Sequence, residues 1–225
     1  MESTNEVVRY YGGKPVASRR AERRSLFMDA ALDVFTGRSY ARSSVADVCS
    51  AAGLARRQFY EEFSSREDLL IALYDGIQSE ARAAMSAALT RETSGELRAL
   101  VKAAITAFVE SIGQDPRRAQ IVFVDIVGVS PRVEEHRIEQ RSIWVEFFEA
   151  TVRGSVGIDF VPPGGYALAS TAFIGALTAL IQQWSIADPR PPVADLADLM
   201  TTLLEALIRD SSVAPSATPA APHQS

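Results

Sequence analysis

The chain has few of the residues that make a reactive centre. Among its 225 residues there is one cysteine, Cys49, and there are two histidines, His136 and His223. One cysteine excludes an intramolecular disulfide framework and a multi-cysteine metal site, and no metal, nucleotide or nucleophile motif accompanies the histidines. An enzyme is therefore not expected, nor a metal, nor a cofactor. Cys49, beside Val48, reads as a small core filler, with redox sensing as the other reading. Glycine (13) and proline (11) are sparse, and long alternating β-branched runs are missing. Ala, Leu, Glu and Arg recur instead, so the expected fold class is all-α. No stretch reaches the ~18 uninterrupted apolar residues of a membrane span, and the N-terminus lacks the apolar run of a secretory signal. The expectation is a soluble, cytoplasmic chain without membrane contact.

What is present is a charge asymmetry. The net charge is −5, which taken as an average disfavours a polyanionic partner. Residues 1–66, however, hold 11 Lys and Arg against 8 Asp and Glu, and the remainder holds 12 against 20. A basic N-terminal module is carried by an acidic body that need not approach nucleic acid.

Periodicity divides the chain further. Residues 1–17, with Arg9, Lys14, Gly12-Gly13 and Pro15, show no apolar period and read as a flexible basic arm. From Ser18 to about Gly37, Phe27, Ala30, Ala31, Val34 and Phe35 mark one helix face, and Arg19, Arg20, Arg23 and Arg24 crowd its start. Ser44 and Asp47 have capping-box spacing, and Gly53 stops that helix after barely two turns. A second short helix runs from Ala55 to Phe63, with Phe59 and Phe63 four apart on one face. Two short helices about a glycine turn form a helix-turn-helix within an 18–66 domain. Ser64 or Ser65, with Glu67 or Asp68, caps a long helix to about Thr90. Five more helices are predicted at about 94–114, 116–129, 131–154, 164–187 and 192–209, delimited by Pro116, Pro131, Pro162-Pro163 and the prolines of 189–192. Residues 67–210 form the larger helical body. Residues 211–225, rich in Ser, Ala and Pro, read as a disordered tail.

In a helix-turn-helix the leading turn of the second helix meets base edges in the major groove. Arg56, Arg57 and Gln58 occupy that turn. Arginine matches guanine O6 and N7, and glutamine matches adenine N6 and N7. Tyr60 follows, with a phenol suited to a phosphate oxygen. The other reading of such arginines is a solvated helix face.

The segment resembles the TetR family of bacterial regulators. The resemblance lies in Ala30-Ala31-Leu32-Asp33-Val34-Phe35, Tyr40, Ser43-Ser44-Val45-Ala46-Asp47-Val48, Ala51-Ala52-Gly53-Leu54, Phe59-Tyr60, Phe63 and Ser65-Arg66-Glu67-Asp68-Leu69-Leu70, an ordered set over about 50 residues. It implies phosphate contacts from Ser44, from Tyr60 and from Arg66, which stands where the family usually has lysine. Three positions depart from the family pattern. Ala55 replaces a Ser or Thr cap, Ser39 replaces a common glycine, and Glu62 replaces a frequent histidine. Glu61 and Glu62 put negative charge near DNA, with Arg56 and Arg57 as the expected partners.

The resemblance further implies a two-fold homodimer on a palindromic double-stranded operator, with the last two long helices as the interface. Ala172, Ala176 and Ala179 with Leu199 and Leu203 are the expected contact positions. It also implies that the body encloses a small, largely apolar ligand whose binding releases the operator, making the protein a repressor. The pocket candidates are Phe108, Phe123, Asp125, Trp144, Phe148 and Phe173. Asp125 interrupts an otherwise apolar run from Ile121 to Val127, so its carboxylate needs a partner: a ligand, a backbone group, Arg117 or Arg141, or water. The alternative is control of the same DNA-binding fold by a protein partner.

Overall fold

The computed structural model describes residues 10–11 and 14–209, and helices make up most of them. β1 (Tyr10–Tyr11) and β2 (Lys14–Pro15) pair antiparallel, with Tyr10 opposite Pro15. This corrects the expected arm at these four residues: strands two residues apart in sequence have the commonest hairpin spacing. The remaining arm residues 1–9 and 12–13, and the predicted disordered tail, lie outside the described residues.

Nine α-helices follow among the described residues: α1 (Val16–Arg38), α2 (Val45–Ala52), α3 (Arg56–Glu62), α4 (Arg66–Arg91), α5 (Leu97–Gly113), α6 (Pro116–Gln120), α7 (Pro131–Val156), α8 (Gly165–Ile186) and α9 (Val193–Arg209). Their ends are set by the capping chemistry visible in the sequence. Ser44 caps α2 in a full capping box: its hydroxyl accepts from the Asp47 amide at 3.2 Å, and Asp47 accepts from the Ser44 amide at 2.9 Å. Gly53 closes α2 at φ 64°, the left-handed conformation that glycine adopts without a Cβ penalty. Ser65 accepts from the Asp68 amide at 3.0 Å to start α4, and Asp115 with Pro116 starts α6.

Two features were not read from the sequence. Tyr40–Arg42 forms a 3-10 turn after Ser39, whose φ of 66° and ψ of 147° are unusual for a residue with a side chain. The helix expected over 116–129 also breaks: after α6, residues Ile121–Asp125 wind as a π turn, with the Ile126 amide donating to Ile121 O at 3.2 Å. A π turn accommodates one residue more than an α turn and so redirects the side chains after it.

The described chain falls into two compact units that do not divide at residue 66. The first joins the chain up to Arg82 with Ile112–Arg137; the second joins Ala83–Ser111 with the chain from Ile138 onward. Each has its own core. In the first, Phe27 meets Phe59 edge to face at 5.4 Å and Phe63 at 6.3 Å, with Val48, Leu69, Leu70 and Ile121 fully buried beside them. Removing a ring such as Phe59 would cost about 3–5 kcal/mol. The segment 112–137 belongs to this unit because it is bonded to α1 and the 3-10 turn. Gln120 donates to Thr36 O at 3.2 Å, Arg117 pairs with Asp33, and the Tyr40 amide donates to Asp125 at 3.3 Å. In the second unit, Ile105, Val109, Ile181 and Met200 are buried, and Lys102 on α5 pairs with Asp198 on α9 at 2.8 Å.

By length and mean hydropathy α8 is long and apolar enough to cross a bilayer, although Ser170, Thr171 and Thr178 interrupt its apolar residues. Its buried stripe of Tyr166, Ala169, Ser170, Phe173, Leu177, Ile181 and Trp184 keeps a three-to-four-residue period, the pattern of a helix packed on one face.

Candidate nucleic-acid interface and ligand cavity

α3 is amphipathic. Phe59 and Phe63 face the core, and the opposite side carries Arg56, Arg57, Tyr60 and Glu61. The Arg57 side chain is 91% exposed and Tyr60 is 59% exposed, as side chains that meet a groove must be. Ser44 is exposed at the start of α2. Its hydroxyl also donates to Asp47 at 2.6 Å, and this bond first, then the Ser44 amide and Arg38 at 2.9 Å, hold the Asp47 carboxyl below its usual range against partial burial.

Gln58 is placed differently from a free reading side chain. Ala55, at the N-cap, has no side-chain acceptor, and Gln58 Oε1 accepts the Ala55 backbone N–H at 2.9 Å. Half of a capping box therefore remains, supplied by the third residue of the helix.

The two glutamates at the end of α3 separate in role. Glu61 pairs with Arg57 at 3.3 Å, as the sequence suggested, and also with Arg23 at 3.8 Å. Glu62 does not use Arg56 or Arg57. Its side chain is 1% exposed and is held by Arg20 at 3.0 Å and Arg23 at 2.8 Å, both on α1. Arg24 completes the clamp by donating to Glu62 O at 3.2 Å and lying over the Phe63 ring at 4.4 Å. The reason is helical phase: Glu62 lies three residues after Phe59 and shares its inner face. Burial alone would push the Glu62 carboxyl up, but the bonds from Arg23 and Arg20 outweigh it and leave the group below its usual range.

Arg66 is half-buried and engaged within the protein. It donates to Tyr40 O at 3.0 Å and to Ser43 O, and its guanidinium lies 4.1 Å over the Tyr40 ring. It thereby joins the start of α4 to the turn that leads into Ser44. Asp125 reaches the same turn through the Tyr40 amide, so a backbone group is the partner its carboxylate found. Burial pushes the Asp125 carboxyl up against the lowering effect of that bond.

The second unit contains an apolar cavity. A cavity of about 60 Å³ lies between α4, α5, α7, α8 and α9. Of the residues named from the sequence, Trp144, Phe148 and Phe173 line it, and Phe108, Phe123 and Asp125 do not. Phe108 stacks edge to face on Trp144 at 5.2 Å. Phe123 and Asp125 lie on the π turn of the first unit. Residues that the sequence reading missed complete the wall: Met85 and Leu89 on α4, Leu97, Leu100, Val101, Ala104 and Ile105 on α5, Phe147 and Val152 on α7, and Leu177 and Leu204. Their apolar periodicity is that of any core helix, so nothing in the sequence marked them out. The hydroxyls of Thr151 and Ser155 are the polar groups of the lining, and each donates to the carbonyl four residues back, at 2.7 and 2.9 Å. This wall can solvate a hydrocarbon and offers no charge to an ionic group.

The expected interface positions are arranged along one side of α8 and α9. Ala172 and Ala179 are exposed, Ala176 is half-buried, and Leu199 and Leu203 are 47% and 40% exposed. Leu168 and Ile186 on α8, at 67% and 80% exposed, extend the apolar surface.

Comparison with known proteins agrees with this geometry. Residues 27–73 match the family described as bacterial regulatory proteins, tetR family. Over 118 residues the chain is 28% identical to the HTH-type transcriptional activator FasR of Mycolicibacterium smegmatis, a match covering 51% of each protein; it thus spans about half the length of this curated relative. Among solved structures, the fatty acid degradation regulator FadR of Bacillus halodurans superposes with a TM-score of 0.67 at 18% identity, covering 81% of this chain and 94% of that one. FadR of Bacillus subtilis, solved in complex with stearoyl-CoA, gives 0.66 at 17% identity, covering 82% and 97%. A TetR-family regulator from Syntrophomonas wolfei gives 0.69 at 14% identity, covering 84% and 96%. Residues 27–73 of this chain are thus similar to the tetR family of bacterial regulatory proteins, and its described fold is that of solved transcriptional regulators.

Proposed function

We propose that the protein is a dimeric repressor that binds a palindromic double-stranded operator through α3 and is released when an acyl chain occupies the apolar cavity. The observation that carries the DNA assignment is the outward row of Arg56, Arg57 and Tyr60 on a helix whose other face is fixed by Phe59 and Phe63. Ser44 at the start of α2 supplies a phosphate contact, and Arg66 supplies charge from the start of α4. Two copies joined through α8 and α9 would place their reading helices about 34 Å apart, one turn of duplex. The exposed Leu199 and Leu203 beside the small residues of α8 support that face as the one a second copy covers.

The acyl ligand is supported by the cavity wall, which has no charged side chain, and by the stearoyl-CoA bound to a protein of the same fold. Release requires that the ligand bind the DNA-incompetent state more tightly than the competent one.

The test is selection of bound genomic fragments by the full chain, followed by titration of the recovered DNA in the presence of stearoyl-CoA or stearate. Binding of specific fragments that either probe weakens is the expected result. Absence of any enriched fragment would overturn the DNA assignment. Enriched fragments whose affinity no acyl probe changes would favour control by a protein partner. Leu199→Glu with Leu203→Glu should give a monomer in sedimentation with unchanged helicity, and a persistent dimer would refute the interface.

A further inference from the structure

The side chains of the leading turn of α3, considered with their internal bonds, offer one kind of hydrogen-bonding group. Arg56 and Arg57 are donors only. Gln58 would ordinarily present both an acceptor and a donor, the pair that reads adenine N6 and N7. Here that oxygen is turned toward the backbone, because the Ala55 N–H points at Oε1 at 2.9 Å. The assignment of oxygen and nitrogen follows from chemistry, since an N–H cannot donate to the amide NH2. What Gln58 can turn outward is that NH2 group.

The carboxylates of the helix lie at its far end, outside the leading turn. Glu62 is buried in its clamp with Arg20 and Arg23, and Glu61 is paired with Arg57 and Arg23. Ala55 has no side-chain acceptor at all. We infer that the reading turn of α3 is donor-only, that Gln58 acts as helix cap and single donor instead of an adenine reader, and that the half-site core it recognises is guanine-bearing.

The physical reason lies in the edges of the bases. Guanine presents N7 and O6, two adjacent acceptors that an arginine fork or a single NH2 group can satisfy. Adenine places its N6 amine where guanine has O6. A donor facing a donor repels, and the Gln58 oxygen that would accept from N6 is held by the backbone. Thymine O4 and adenine N7 are single acceptors, so an A·T pair offers the Gln58 NH2 less than the adjacent N7 and O6 of guanine.

This inference rests on the DNA assignment above, and the experiment separates the two. The full chain is used to select duplexes from a randomised pool, and the selection is repeated with Gln58→Ala. The expected wild-type half-site has guanine on one strand or the other at two or more adjacent base pairs. Replacing one of those guanines with 7-deazaguanine, which lacks N7, should weaken binding about tenfold. Gln58→Ala should relax a G·C preference at one base pair and leave every A·T preference untouched. An adenine preference that Gln58→Ala abolishes would overturn the inference, as would indifference to 7-deazaguanine throughout the half-site. Failure to enrich any sequence would overturn the DNA assignment itself.

A stability readout separates the cap from the contact. Gln58→Ala should lower the melting temperature by about 2–4 °C, and adding Ala55→Ser, which supplies a cap hydroxyl, should recover it. The double variant should keep the altered base preference of the single one. Recovery of the original preference along with stability would show that Gln58 acts through the helix alone.

Discussion

Ser39 is held at φ 66° and ψ 147° between the end of α1 and the 3-10 turn that carries Tyr40. In this region Cβ crowds the backbone, and a residue other than glycine is strained by about 1–3 kcal/mol. Ser39→Gly removes the Cβ and with it that strain. The unfolded chain meanwhile gains freedom, which offsets about 0.4–1 kcal/mol of the benefit. A net stabilisation of about 1 kcal/mol is expected, or about 2–4 °C in melting temperature for a chain of this size. Ser39→Ala is the control: it keeps the Cβ and should stay within about 0.5 kcal/mol of the parent. Ser39→Val, with a branched Cβ, should be less stable than either. The assay is thermal and urea unfolding followed by circular dichroism, with all four proteins at one concentration so that assembly does not confound the comparison. A glycine variant that melts no higher than the alanine variant would refute the strain argument. The glycine variant should also retain the operator preference of the parent, because Ser44 keeps its own cap to Asp47.

Three further outcomes follow from the site. Glu62→Gln should lower stability by about 1–3 kcal/mol at neutral pH, since it removes the charge that Arg20 and Arg23 hold. The folded Glu62 carboxyl lies below its usual range, so its contribution is present above that range and lost as pH falls through the folded value. The gap between parent and variant, measured by urea unfolding, should therefore close toward pH 3; a gap independent of pH would contradict the ion pairs. Arg66→Ala should lower stability by about 1–2 kcal/mol by freeing the Tyr40 and Ser43 carbonyls, and should reduce the salt dependence of DNA binding by about one unit of slope. An unchanged slope would leave Arg66 a structural role only. Ala104→Phe, which adds a ring to the cavity wall, should weaken the stearoyl-CoA effect at least tenfold with operator affinity intact; an undiminished ligand response would place the ligand elsewhere.

Much of this protein is fixed locally. Caps, the glycine turn at Gly53 and the period-four spacing of Phe59 and Phe63 act over a few residues, which is why the helices of the helix-turn-helix and their ends could be read directly. The departures at Ser39 and Ala55 were legible as anomalies, and the structure shows what each entails: a strained turn at Ser39 and a cap borrowed from Gln58 at Ala55. Tertiary structure decided pairings over long sequence separations. Glu62 could have met any of several nearby arginines, and only the packing of α3 on α1 selected Arg20 and Arg23. Asp125, at the end of a π turn, has its partner 85 residues away in the Tyr40 amide. The cavity was invisible for a related reason. An apolar residue that lines a void and one that fills a core have the same period along a helix, and the difference between them is the distance to side chains contributed by other helices.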